Sequence, residues 1–597
     1  MFSRITAWWR GLTGAIAVGY RANPKAITAQ LVLGAFAAVL SPFAVYLTKL
    51  MVDQIQNGQS TEAYYAAGGL ALVVAAVWAS IFAYVKIVFE VLDHTHRAAD
   101  REVMALMGNP PGLDHHERSD YLDEVQRIRE DRWLLAGGTN WMVQWTRAVI
   151  TIVVGGVMLA QVHPLLLLFP ALSLFGLFVA KRANDIEIDV METTSAPERR
   201  RRHLFEVATL AESGKELRIF GSTAEIARRH HEAARTVADI RNRGQWRSAR
   251  TSNLEGVLAA IGMAAGVALV LNLAINGRAT AGDVILLVGL IGMIAGNAGN
   301  LAAQTMFLLR LGKLGTRLAW LRGYAEQTSG PVEPAPVPDR LEAGITLEGV
   351  SFAYPEAERP SLDEVTLTLP AGKVVALVGE NGAGKTTLVK LLSGFYQPTE
   401  GRIGVDGHDL SGFAASEWRE RIGATFQDFT RFEFTARESI GIGDNRSGYD
   451  DDTVRAAMTR AGAEDVIDDL PEGLDTRLGA RWDEGTDLSG GQWQKIAIGR
   501  GRMRPDPLLV VFDEPTAALD PQTEHALFER FAAEVHAGRQ RGTVTVLVSH
   551  RFSTVSMADL IVVMESGRVA EIGTHDDLMA RGGAYSELYT LQSSAYR

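Results

Sequence analysis

The sequence contains no cysteine. Disulfides, Cys-ligated zinc, iron–sulfur clusters and a Cys nucleophile are therefore excluded throughout its 597 residues. Lysine is scarce, at ten of the 59 basic residues, a bias that fits the codon usage of a GC-rich bacterial genome. The net charge is −11, and no block of like charge forms a nucleic-acid arm, so no nucleic-acid partner is expected. The start of the chain lacks the pattern of a cleavable signal. Residues 1–20 carry Arg4, Trp8, Trp9 and Arg10, and aromatics beside arginine suit an amphipathic helix lying at a membrane interface.

Apolar sequence is abundant but unevenly placed. Long uncharged runs precede about residue 310 and mixed, punctuated sequence follows it, so a membrane part comes first and a soluble part second. A spanning helix needs about 20 apolar residues. Segments 26–48 and 63–85 qualify. Segment 148–180 is uncharged and too long for one span; a turn at Gln161, Val162, His163 and Pro164 splits it, with the first helix beginning near Gly138. Segments 256–276 and 284–309 bring the expected number of spans to six.

The basic residues orient these spans. Residues 1–25 hold Arg4, Arg10, Arg21 and Lys25, loops 86–132 and 181–250 are Arg-rich, loop 52–62 has no Lys or Arg, and loop 277–283 has Arg278 alone. The positive-inside rule places both termini and both long loops in the cytoplasm of a multi-pass inner-membrane protein. Both long loops have helical composition and are too polar for a bilayer. Helices two to five are therefore expected to run past the membrane and to meet at turns near 108–120, where Pro110, Pro111 and Gly112 break the helix, and near 212–221. Arg147 falls inside the third span. Such a charge either lines a substrate cavity or snorkels and pairs with a carboxylate. The last span carries Gly289, Gly292, Gly296 and Gly299, expected to serve helix packing, and Asn297 and Asn300, whose amides could line a polar path.

Four prolines in 329–340 (Pro331, Pro334, Pro336 and Pro338) make a stiff, extended linker. The expected organisation is an interfacial helix over 1–25, a membrane domain over 26–325, a linker over 326–340 and a soluble domain over 341–597.

In the soluble domain the strand-like run 374–378 leads into Gly379, Glu380, Asn381, Gly382, Ala383, Gly384, Lys385, Thr386 and Thr387, and a helical pattern follows. Strand, Gly-rich loop and helix is the context of a P-loop, which binds ATP with Mg²⁺. Backbone N–H groups and the helix N-terminus would cradle the phosphates, Lys385 would reach the terminal ones, and Thr386 would ligate the metal. A second apolar strand, 508–512, ends at Asp513 and Glu514, where Asp513 would hold Mg²⁺ through water and Glu514 would serve as general base.

Leu488, Ser489, Gly490, Gly491 and Gln492 resemble the signature of ATP-binding cassette proteins. With it, the whole chain resembles the cassette exporters built as half-transporters, each fusing a six-helix, all-α transmembrane domain to an α/β P-loop domain. The resemblance implies further roles. Tyr354 stacks on adenine, Gln427 contacts Mg²⁺ and senses the γ-phosphate, and His550 touches it. Ser489 and Gly491 close the nucleotide site of a second subunit, Asp520 links the two sites, and the turns near 108–120 and 212–221 become coupling helices. Two departures stand out: Ala480 lies where relatives often carry Glu, with Asp483 or Glu484 as substitutes, and Ala517 replaces the common Ser.

One chain has one P-loop and one signature, and in the resembled family these act in trans, so the resemblance implies a second chain; the intact motif residues, Glu514 included, favour a copy of itself, with a heterodimer as the alternative. The expected activity is ATP-driven export of an amphipathic cargo (a peptide, natural product or drug-like molecule) across the lipid bilayer, the peptide leaning being a likeness in 212–221 and 491–500. The alternative is a lipid flippase of the same fold; a non-transport cassette ATPase is disfavoured by the six spans. With spans beginning near residue 26 and no Cys, neither an N-terminal peptidase domain nor a built-in Cys protease is expected.

Overall fold

The computed structural model describes every residue except 1, 109, 329, 332, 356, 515–541, 550–551 and 596–597. The chain forms two compact units, Met1–Gly108 with Val125–Gly323, and Asn109–Glu124 with Tyr324–Arg597.

The first unit is helical: α1 (Phe2–Ala22), α2 (Pro24–Gln56), α3 (Ser60–Gly108), α4 (Ser119–Asp131), α5 (Trp133–Val162), α6 (Leu168–Thr209), α7 (Ala211–Ile219), α8 (Thr223–Ile275) and α9 (Ala281–Gln327), with α4 and α9 crossing into the second unit at their ends. Helix α2 starts where Pro24 occupies the first turn and the Asn23 side chain accepts from the Ala26 N–H at 3.1 Å, so one otherwise unpaired donor is capped. The expected break in the 148–180 run is present: α5 ends at Val162, and the His163 ring accepts from the Leu165 N–H at 3.2 Å. Among the described residues, α2, α3, α5 and α9 are long and apolar enough to cross a membrane. The other two expected spans lie on α6 and α8; on α8 the apolar stretch Ala260–Ile275 is shorter. Helix α3 has 49 residues and α8 has 53. At 1.5 Å per residue each runs about 70–80 Å, more than twice a hydrocarbon core.

Three kinds of contact join the helices. Gln30, Tyr84 and Asn140 form a buried polar knot between α2, α3 and α5, with Asn140 Oδ1 accepting from Gln30 Nε2 at 3.0 Å and from the Tyr84 hydroxyl at 2.8 Å. At one end of α2 and α9, Lys49 pairs with Asp283 at 2.5 Å and Asp53 accepts from the Gly282 N–H at 3.0 Å. At the far end of α9, a Cβ on Gly315 would lie 2.0 Å from the Gly11 carbonyl oxygen, so α1 and α9 touch backbone to backbone. The expectation that the α9 glycines serve packing holds for Gly289, which faces Val45. It fails within this chain for Gly292, Gly296 and Gly299, which face open space.

The second unit holds two sheets. The antiparallel one has the order β2 (Leu362–Pro370), β1 (Gly344–Phe352), β4 (Glu400–Val405), β5 (His408–Asp409). The other runs β10 (Arg568–Gly573), β9 (Leu560–Glu565), β3 (Val374–Val378), β8 (Val544–Val548), β7 (Leu509–Asp513), β6 (Ile422–Thr425), parallel throughout except for the β9–β10 edge. Strands β7 and β8 are buried at every position, which explains their unbroken apolar sequence. The helices that matter for the site are α10 (Lys385–Leu392), α11 (Ala415–Glu420) and, after short helices between 436 and 468, one at Gly490–Gly501, labelled α12. Within the proline-rich linker Ala335 pairs with Phe413, and its N–H donates to the Gly412 carbonyl at 2.9 Å.

Trp418 on α11 anchors this unit. It is 1% exposed, and its indole N–H donates to the Leu392 carbonyl at 2.9 Å. Trp418→Ala should remove a large buried ring and strand that carbonyl, costing about 3–5 kcal/mol. A lower thermal midpoint for cassette unfolding, followed by tryptophan fluorescence or calorimetry, checks it.

Candidate functional site

The loop between β3 and α10 curls back on itself. Gly379 and Gly384 have φ of +153° and +99°, and a Cβ would lie 2.2 Å from the Met564 carbonyl oxygen at the first and 2.7 Å from the Ser361 carbonyl oxygen at the second. Only glycine fits that path, and the path turns backbone amides into the loop's hollow. Lys385 is buried, and its ammonium donates to the carbonyls of Gly379 at 2.7 Å and Glu380 at 2.9 Å. Burial lowers its pKa, against the opposing pull of Glu514 and Asp513.

Strand β7 delivers the acidic pair beside that loop. Asp513 is 1% exposed, with its Oδ1 3.5 Å from the Thr386 hydroxyl. Burial pushes its pKa up to about 6, an effect that the Thr386 contact opposes and Glu514 reinforces. Glu514 sits at φ +47°, a left-handed conformation that a non-glycine residue seldom adopts, and its N–H donates to the Val548 carbonyl at 3.0 Å. The Gln427 amide donates to Glu514 Oε2 at 2.9 Å. The Tyr354 hydroxyl lies 3.2 Å from that of Thr387, and Lys390 stands 5.4 Å from the Tyr354 ring centroid.

These residues line one cleft of about 750 Å³: Tyr354, Asn381, Gly382, Gly384 to Thr387, Gln427 and Glu514. Ser361 also lines it, a position that sequence reasoning missed because it belongs to no motif and arrives from the antiparallel sheet. Gly379, Glu380 and Ala383 shape the loop itself. A buried carboxylate, a threonine hydroxyl and a glutamine amide form an oxygen-rich set suited to a hard divalent cation. His550 and Asp520 lie outside the described residues.

The signature residues are absent from that cleft. Ser489 caps α12, its hydroxyl accepting from the Gln492 N–H at 3.2 Å while Gln492 Oε1 accepts from the Ser489 N–H at 3.0 Å. Leu488 is buried beneath, and Gly490 has open space where a side chain would be. The loop before them is a tight excursion: the Gly479 N–H donates to the Thr486 carbonyl at 2.9 Å, and Trp482 Nε1 donates to the Glu433 carbonyl at 3.2 Å under the Arg477 guanidinium. Ala480, Asp483 and Glu484 are exposed on it.

The expected turn near 108–120 belongs to the second unit. The Leu113 N–H donates to the Phe395 carbonyl at 3.0 Å, and the Tyr396 hydroxyl donates to Glu117 Oε1 at 2.5 Å. Burial and that bond raise the Tyr396 pKa. Arg419 caps the carbonyls of Gly394 at 2.7 Å and of Pro111. In the helical unit Arg147 is half-buried on α5, Asn297 donates to the Met293 carbonyl of its own helix at 2.9 Å, and Asn300 is exposed.

The fold and the cleft define a P-loop nucleotide-binding domain fused to a domain of apolar helices. A family model described as ABC transporter matches residues 362–517. The chain is 40% identical to the "ATP-dependent lipid A-core flippase" of Chromohalobacter salexigens over 272 residues, 46% of this chain and 45% of that one. It is 34% identical to the protein of the same name from Dechloromonas aromatica over 395 residues, 64% and 63% of the two chains. It is 40% identical to the "Putative multidrug export ATP-binding/permease protein YgaD" of Bacillus subtilis over 255 residues, 43% and 42%. The matched part thus spans about half the length of most of these relatives. A bacterial Atm1-family ABC exporter with ATP bound superposes with a TM-score of 0.72 at 25% identity, covering 96% of this chain and 99% of that one. The chain therefore carries an ABC transporter domain and has the fold of an exporter half-transporter, with its helical domain and its cassette in one polypeptide.

Proposed function

We propose that the protein is an ATP-driven exporter that works as a dimer of identical chains in a bacterial inner membrane, with both termini and the cassette in the cytoplasm. The observation that carries this reading is the single cleft that collects Tyr354, the P-loop, Gln427 and Glu514, in a chain whose described residues include four helices long and apolar enough to cross a bilayer. The amides of 379–387 and Lys385 bind the phosphates of ATP, and Tyr354 offers a flat face for adenine. Thr386, Gln427 and Asp513 would hold Mg²⁺, which when bound screens charge on the phosphate oxygens. Gln427, bonded to Glu514, positions the carboxylate so that its oxygen takes the proton of the attacking water. His550 and Asp520 keep the γ-phosphate and cross-dimer roles that the family resemblance implies.

Dimerisation is supported by the separation of Ser489 and Gly491 from their own chain's cleft. It is also supported by the tip of the 212–221 turn, where Ile219 is 79% and Phe220 72% exposed. ATP binds the closed pair of cassettes more tightly than the open pair, and this difference in affinity drives the change of access.

Two cargo classes compete, an amphipathic peptide, natural product or drug, and a lipid; Arg147, Asn297 and Asn300 are the candidate cavity residues for either. The names of the curated relatives favour the lipid. Reconstituted in nanodiscs, the protein's ATPase rate should rise severalfold with its cargo. Stimulation by an anionic glycolipid and not by peptides or cationic drugs supports flipping; the reverse supports export of a soluble amphiphile.

A further inference from the structure

Helix α8 runs from a polar stretch into the apolar run 256–276, and one of its faces carries both characters. The side that meets α6 is taken: Gly244 packs against Val190, and Ala233 and Val237 are buried on the turns before it. Off that contact stand Arg243, Trp246, Arg247 and Arg250, followed by Val257 and Ile261. At 3.6 residues per turn these six positions share an arc of about 100°. All six are exposed, Trp246 at 70%, Val257 at 55% and Ile261 at 61%.

Other arginines of α8 are neutralised. Arg228 and Arg229 pair with Glu225 at 2.6 and 2.7 Å, and Arg241 pairs with Glu198 at 3.7 Å. Among the described residues Arg243, Arg247 and Arg250 form no ion pair, although Asp185, Glu187 and Asp189 are exposed on the adjoining α6. Arg243 donates to the Asp239 carbonyl at 3.3 Å, a bond that leaves its charge uncompensated. Residues three or four apart on a helix lie about 5–6 Å from one another, so Arg247 and Arg250 can hold one phosphate between them. The guanidinium fork matches phosphate oxygens two at a time.

Depth matches the chemistry. Arg250 precedes Gly256 by six residues and Arg247 by nine, about 9 and 14 Å along the axis at 1.5 Å per residue. That sets them at the outer edge of a headgroup layer about 5–8 Å thick. Trp246 beside them is of the amphipathic ring type enriched at membrane interfaces. A cationic end and an apolar continuation on one exposed face have the polarity of an anionic lipid: phosphate outermost, acyl chains toward the bilayer centre.

We propose that this face of α8 seats an anionic phospholipid of the cytoplasmic leaflet, with Arg247 and Arg250 on the phosphate, Arg243 adding attraction, and the acyl chains along Val257 and Ile261. The seat rests on the membrane orientation proposed above and includes none of the candidate cavity residues Arg147, Asn297 and Asn300.

The test titrates the full chain, in a neutral detergent, with phosphatidylglycerol or phosphatidylcholine and reads lipid adducts and oligomeric state together by native mass spectrometry. Phosphatidylglycerol should bind more tightly than phosphatidylcholine. Arg247→Gln with Arg250→Gln should raise the Kd of the tightest phosphatidylglycerol about tenfold or more and leave phosphatidylcholine unchanged, because each basic residue near an anionic headgroup contributes separately. Arg247→Lys with Arg250→Lys, which keeps the charge, should restore most of the affinity. Glycerol 3-phosphate, a headgroup without chains, should not displace the lipid. Retained ATP binding certifies that each variant is folded. Equal affinity for the two lipids, an unchanged phosphatidylglycerol Kd in the double Gln variant, or displacement by glycerol 3-phosphate would overturn the proposal. Loss of the dimer in that variant at unchanged lipid affinity would instead give this face to a second copy of the chain, and overturn it equally. The readout needs neither hydrolysis nor transport, so the seat and the exporter reading stand or fall separately.

Discussion

Replacing Glu514 with Gln should leave ATP binding intact and cut steady-state hydrolysis by about two to four orders of magnitude, the usual contribution of a positioned general base. The side chains are nearly isosteric, so the Gln427 contact at 2.9 Å can be kept with one amide turned. What is lost is the basic oxygen. Position strengthens the expectation. Glu514 is held in a left-handed conformation at φ +47° and tied through its N–H to Val548 on β8, so the strand geometry, rather than the side chain's own freedom, aims the carboxylate into the cleft. Asp513 is a poor substitute, because burial raises its pKa and it faces Thr386. ATP should also persist on the variant, since binding without turnover leaves the closed dimer populated. Radiolabelled ATP retention and phosphate release, measured on the same preparation, separate the two effects. Phosphate release at the unmodified rate would place the base elsewhere.

The parts of this site that were legible in the sequence are those where chemistry and backbone demand coincide. Gly379 and Gly384 had to be glycine because carbonyls crowd the space where a Cβ would sit, and the same curl points amides at phosphate. Strands β3 and β7 announced themselves as short unbroken apolar runs because both faces are covered. The break at Gln161 to Pro164 was visible because Pro164 cannot continue the preceding helix and starts a new turn. Long-range partnerships were not legible. Nothing in the pattern around Pro111 says that Arg419, some three hundred residues on, caps its carbonyl, and nothing near Tyr396 names Glu117 as its acceptor. Composition marked the linker as extended but could not show that Ala335 joins Phe413. The α9 glycines divide for a related reason: a small residue in an apolar helix permits close packing, and only the fold shows that Val45 stands against Gly289 while Gly292, Gly296 and Gly299 have no neighbour within this chain.

The second large effect concerns the signature. Ser489→Arg should abolish hydrolysis even though Ser489 lines no part of its own chain's cleft. The serine caps α12 and presents that helix's N-terminal amides with Gly490 and Gly491 beside them, an anion-binding arrangement with no phosphate of its own to hold. In a dimer it would meet the γ-phosphate bound by the partner, and a guanidinium there both blocks the approach and removes the short cap. Lys385→Ala should abolish hydrolysis by the opposite route, by removing the cation that reaches the terminal phosphates. Each variant alone therefore spoils both sites of a homodimer. Mixed, the two behave differently: the hybrid dimer has one site carrying both lesions and one with neither. Random pairing makes about half the dimers hybrid, so about a quarter of all sites are intact, and activity should reappear at up to roughly that fraction of the unmodified rate. Co-purification of the hybrid through two different affinity tags, followed by ATPase assay, measures it directly. If the purified hybrid is as inactive as either parent, the signature either closes its own chain's site or both sites must fire together. A hybrid Glu514→Gln/unmodified dimer distinguishes these: residual turnover near half the unmodified rate means the sites fire independently, and the shared-site reading then falls.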